Sequence, residues 1–135
     1  MKNPLYSFVS KDIMLNELNR CSGLDAISFV DFTNKCDGAG WHNLDSWESL
    51  DDINILNFLT ADNKPNGELY IVNEVSYKMG AFLINYLNLT KLVSNHLSLF
   101  GECFFNGDVV ILQKDRSTVW VFNHDGFYKV ISFLE

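Results

Sequence analysis

"ECFFNGDVVILQKDRSTVWVFNHDGFYKVISF", residues 102–133, decides the fold class. It holds four β-rich runs, "ECFF", "DVVILQ", "TVWVFN" and "FYKVISF", separated only by "NG", "KDRS" and "HDG". Connections this short join antiparallel neighbours, and Asn106-Gly107 is a favoured hairpin turn. The stretch therefore predicts a C-terminal meander of three or four strands.

Upstream of Gly101 the period changes. Val75, Met79, Phe82, Leu83 and Tyr86 recur at intervals of four and three. The stripe then continues through Leu89, Leu92, Val93, His96, Leu97 and Phe100. With Asn73 as a cap, this predicts one long helix, or two with a break near Asn88, covering one face of the meander. "ELYIV" from Glu68 reads as a short strand, and "ADNKPNG" before it as a turn. In "LDSWESLDDINILNFLT", Asp45 and Glu48 have capping-box spacing, which predicts a helix over about residues 46–59. Ser10 is placed to cap a helix reaching about Cys21, with Met14, Leu18 and Cys21 on one stripe and Gly23 as its stop. In "DAISFVDFTNKCDG" the pattern suits helix and strand equally, with Asp25 as a possible cap. The expectation is an α+β fold, with N-terminal helices and one long central helix packed on a C-terminal antiparallel β-meander.

The chain of 135 residues is sized for a single globular domain over residues 1–135. Its 47% hydrophobic and 14% aromatic content is enough to drive collapse. No apolar run reaches the ~18 residues of a membrane span, and the start lacks the apolar core and cleavage site of a secretory signal. A cytoplasmic location is the expectation. Cys21, Cys36 and Cys103 form no CxxC pair, which points to buried reduced thiols and away from a disulfide framework or a zinc site. Asn88-Leu-Thr90 matches a glycosylation acceptor, but within a helical pattern.

Sequence support for catalysis is thin. Cys36 and His42 would pair as a thiol and a base, with Asp45 orienting the ring, yet nearness in sequence is not nearness in a site. A small cysteine-dependent hydrolase is the enzymatic alternative; the main expectation is that the protein is not an enzyme. His124 and Asp125 in "NHDG" read as turn formers. His42, His96 and His124 are widely spaced and belong to no ligand motif, so no metal and no cofactor is expected, and His96 reads as a core or edge histidine. "GAG" at residues 38–40 lacks the flanking pattern of a nucleotide loop.

Charge is the sharper signal. Residues 37–74 hold eight acids against Lys64 alone, and acids and bases cancel on either side, so the whole net charge of −7 arises in this segment. Direct nucleic-acid contact is disfavoured, because phosphate demands clustered cations. The same segment carries Trp41 and Trp47. Aromatic anchors give affinity and complementary charge gives rapid encounter. The expectation is a contact surface for a basic partner, made of Asp37, Trp41, His42, Asp45, Trp47, Glu48, Asp51, Asp52, Asp62 and Glu68. Trp41 and Trp47 would be its anchors, and Asp45, Glu48, Asp51 and Asp52 its ion-pairing groups. An enzyme that cleaves nucleic acid presents a positive cleft, which such a surface would cover.

In size, acidity, aromatic content and α+β layout the chain resembles the immunity proteins of bacterial contact-dependent growth inhibition. "FFNGDVVILQKDRSTVWVFNHDGFYKV", a fifth of the chain, is similar to the end of SMI1/KNR4-like immunity domains. The resemblance implies a cytoplasmic protein that binds and neutralises a cognate toxin, a nuclease by the charge argument. A phage or plasmid inhibitor of a host nucleic-acid enzyme would use the same electrostatics. No functional residue is carried over from the family.

Overall fold

A computed structural model describes residues 5–36, 40–115 and 118–133. The class is α+β, but strands and helices interleave along the chain. Seven strands form one antiparallel sheet in the order β1-β4-β3-β5-β6-β7-β2. They are β1 (Tyr6–Val9), β2 (His42–Asn43), β3 (Glu68–Val72), β4 (Ala81–Asn85), β5 (Val109–Gln113), β6 (Thr118–Phe122) and β7 (Phe127–Ser132). The helices are α1 (Lys11–Ser22), α2 (Phe29–Lys35), α3 (Asp52–Leu59), α4 (Ser76–Met79) and α5 (Leu89–Phe100).

The C-terminal meander is present as β5, β6 and β7, in a register that sets Ile111 opposite Trp120 and Trp120 opposite Val130. "ECFF" is not a strand. Residues 103–106 turn instead, and Asn106-Gly107 closes no hairpin between paired strands. The backbone N–H groups of Phe104 and Phe105 are held by the Asp52 carboxylate, at 2.7 and 3.2 Å. These two amides are thereby bonded without a partner strand.

The sheet is larger than the meander and is covered on both faces rather than one. Leu69, Ile71, Phe82, Ile84, Ile111, Trp120 and Phe122 pack under α3 and α5. The alternate residues Tyr70, Val72, Val110, Leu112, Val119 and Val121 pack under α1 and α2 through Met14, Leu18, Phe29 and Phe32. Burial on two faces explains why "VVIL" and "VWVF" are continuous apolar runs; a half-solvated strand would alternate.

The long central helix is the main correction. Only Ser76–Met79 is helical in the first half of that stretch. Gly80 then takes φ +103°, and a Cβ there would lie 2.7 Å from the Val9 carbonyl oxygen. The chain continues as β4 between β1 and β3. Phe82 and Ile84 point to one face and Ala81 and Leu83 to the other, so the segment satisfies a period of two as well as a helical one. Helix resumes after the 3₁₀ turn Tyr86–Asn88 as α5, which ends at Gly101 in the left-handed region.

Two further starts differ from expectation. The helix predicted from Ser46 splits into a 3₁₀ turn, Trp47–Ser49, an extended Leu50, and then α3. Its cap is Asp51, which accepts from Asn54 N at 3.0 Å. The ambiguous segment after Asp25 is helical as α2, capped by Ser28. α1 has the expected Ser10 cap and Gly23 stop.

Candidate functional site

The ten residues expected at a contact surface do not share one place. Asp37 lies outside the described residues. Trp41 is half-buried at the edge of the layer formed by α1 and α2. Its indole Nε1 donates to the Cys36 carbonyl at 3.1 Å, and the Lys129 ammonium sits 5.8 Å from the ring centroid. Trp47 is half-buried against the opposite face of the sheet, edge-on to Phe122 with centroids 5.4 Å apart. The two proposed anchors thus straddle the sheet at its β2 end. His42, in β2 itself, is exposed and stacks on Tyr128.

The carboxylates divide by occupation. Asp51 is the α3 cap and Asp52 holds the turn at residues 103–106, so both already have backbone partners. Glu68 pairs with Lys114 at 3.2 Å, at the far end of β3. Asp45, Glu48 and Asp62 are exposed. What the fold does bring together is Trp47, Glu48, Asp51 and Asp52, around the start of α3.

Two adjoining hollows open there. One, of about 280 Å³, lies between the start of α3 and α5 and is floored by Leu50, Ile53, Val93 and Leu97. The other, of about 240 Å³, lies between Trp47, Ile55 and Phe105, with Glu48 at its rim. They share Leu50, Asp52 and Cys103. Each falls below the ~300 Å³ at which cofactor and small-molecule sites begin, and is nearer the size of one large side chain. Glu48, Asp51 and Asp52 contribute to the lining, while no Lys, Arg or His among the described residues does. Sequence reasoning found the carboxylates and Trp47 but missed Leu50, Ile53, Leu97 and Cys103. No sequence signal marked them: Leu97 falls on the apolar stripe of α5 by spacing, and only the structure leaves it 57% exposed.

The nucleophile candidates are arranged for structure. Cys36 is buried, whereas Cys103, also expected to be buried, is exposed. Burial pushes the Cys36 thiol above the ordinary range, against a smaller lowering by Lys129. A raised value disfavours the reactive thiolate. His42 stacks on Tyr128 and not on Cys36. His96 is fully buried: Asn73 Nδ2 donates to its Nε2 at 3.1 Å, so its Nδ1 carries the proton and donates to the Glu102 carbonyl at 2.7 Å. Both ring nitrogens are engaged, and Asn73 also donates to the Phe104 carbonyl, so His96 is a core histidine that braces the turn at 103–106. His124 does more than form a turn. Its ring lies 3.0 Å from Asp108, and the hydrogen bond and charge of Asp108, with a smaller contribution from Asp125, raise its pKa.

Among the described residues no group of three or more His, Cys, Asp or Glu is placed to hold a metal, and no helix is long and apolar enough to cross a membrane. Comparison with known protein families, curated proteins and solved structures finds no match.

Proposed function

We propose that this protein is an immunity-type inhibitor that binds and neutralises a cognate basic toxin domain of the nuclease class. The supporting observation is the joined pair of hollows at the start of α3, apolar in floor, rimmed by Glu48 and Asp51 and, among the described residues, lined by no cation. Apolar seats with surrounding negative potential suit a basic protein surface, and the segment that builds most of them holds the whole net charge. Trp47 is the half-buried aromatic of this surface and Glu48 its uncommitted carboxylate. Trp41, His42 and Glu68 lie elsewhere and are not part of it.

The test begins with the open reading frames beside this gene: a basic C-terminal toxin domain is expected in one of them, and its association with this protein is then measured. A complex stable to gel filtration is expected, with an association rate that falls at least about tenfold between low and moderate salt. Glu48→Lys should weaken it. Failure to bind the neighbouring domain, or binding indifferent to both salt and Glu48→Lys, would sink the reading.

A further inference from the structure

The two hollows also constrain what enters them. We propose that they receive a cationic amphipathic helix of the toxin, two of whose apolar side chains, one turn apart, seat on either side of the ridge made by Leu50 and Cys103. This rests on the inhibitor reading and specifies the partner's docking element.

Three observations carry it. First, the lining comes from residues 47–55, from α5 and from the turn at 103–106, and neither edge strand, β1 or β2, contributes. Backbone pairing with an added strand is therefore unavailable, and recognition must run through side chains. Second, the hollows share three lining residues, so their seats are separated by little more than one side chain. A helix offers that separation at positions i and i+3 or i+4, ~5–6 Å apart. Third, the charge is one-sided. Asp51 and Asp52 are fixed by their backbone bonds and cannot swing away, and Glu48 has no partner among the described residues. Apolar anchors flanked by Lys or Arg complement such a rim. Nucleic acid and anionic lipid, both negatively charged, do not.

The experiment uses the full chain labelled with ¹⁵N. The probe is a synthetic Leu/Lys helix of about four turns with its leucines on one stripe; the control is the same composition with leucines spread round the helix. The striped peptide should move the amide resonances of Leu50, Ile53, Leu97 and Cys103 and bind about tenfold tighter than the control. Leu97→Ser, at an exposed position, should remove that advantage, whereas Glu48→Lys should weaken both peptides. Equal binding of the two peptides, or shifts scattered over all the exposed carboxylates, would reduce the site to charge alone and overturn the proposal. So would shifts at Leu97 on adding phosphatidylcholine vesicles, which would assign the hollows to a lipid surface. A toxin domain that binds wild type and Leu97→Ser equally would overturn the helix and leave the inhibitor standing. A striped peptide that docks while the toxin domain does not would overturn the inhibitor reading and, with it, the toxin as the source of the helix.

Discussion

Asp52→Ala should be the most damaging change among the acidic residues, for reasons unrelated to any partner. The Asp52 carboxylate accepts from Phe104 N at 2.7 Å and Phe105 N at 3.2 Å, and both phenylalanines are buried. A hydrogen bond to a charged acceptor contributes ~1.5–3 kcal/mol, and a buried donor left unmade costs ~1–3. Asp52 is half-exposed, so water reaches part of the vacated space and the lower end applies to each bond. Loss of a negative charge in the first turn of α3 adds ~0.3–1 kcal/mol. The total is about 3 kcal/mol, or about 10 °C in Tm for a chain of this size. Asp51→Ala removes one cap bond and should cost about 1 kcal/mol. Glu48→Ala should stay within ~0.5 kcal/mol of wild type. Urea denaturation followed by circular dichroism gives all three, and hydrogen exchange of the Phe104 and Phe105 amides localises the loss. If Asp52→Ala and Asp51→Ala coincide, or those two amides stay protected, the staple between α3 and the turn at 103–106 is wrongly described. Charge reversal at Asp52 would therefore report on folding, and Glu48 is the position at which reversal reports on binding.

Gly126→Ala should destabilise by about 2–4 kcal/mol and shift the Trp47 indole N–H resonance, because the residue has φ +87° and its new Cβ would overlap the Trp47 indole at Cδ1; an unmoved resonance would mean that the indole does not rest on this glycine. The His124 pKa is raised by Asp108, so the pair stabilises fully below the unfolded value of ~6.5 and loses its contribution as pH rises through the folded value. Both groups reach solvent, so the effect should stay under about 1 kcal/mol, and Asp108→Asn should bring the His124 titration, followed by NMR, back towards ~6.5.

Local signals located several elements, although the equally local caps Ser28 of α2 and Asp51 of α3 were passed over. Ser10 and Gly23 bound α1, Gly101 ends α5, and Glu68 to Val72 is the strand its composition suggests. β1 and β4 were hidden because, among the described residues, β1 pairs only with β4, and β4 is held between β1 and β3. Tyr6 pairs with Ile84 and Phe8 with Phe82, contacts between residues more than seventy positions apart. The apolar residues of β4 also fall on a helical stripe continuous with α5, and periodicity alone cannot separate the two. Gly80 could have done so. A glycine inside an apolar helical pattern is a common stop, and here it brings the backbone against Val9. Burial of the sheet on both faces was likewise written in "VVIL" and "VWVF", which lack the alternation a one-sided meander requires.

The candidate site shows why counting charges goes only part of the way. Sequence gives the number of carboxylates, whereas the direction of their oxygens depends on backbone that lies far away in the chain. Asp45 and Glu48 have the spacing of a capping box, yet Asp51 makes the cap, because Ser46 takes a left-handed conformation, φ 58°, and Leu50 is extended. That break is what creates the hollow. Had the helix begun at Ser46, its first turns would have continued the α3 stripe. With α3 starting at Asp52 instead, Leu50 and Ile53 face Val93 and Leu97 across a gap. The same break leaves Glu48 without a backbone partner among the described residues and at the rim of the second hollow. An exposed carboxylate beside uncovered apolar side chains therefore follows from one local departure from helical geometry, and restoring the helix there would close the proposed site while improving the local secondary structure.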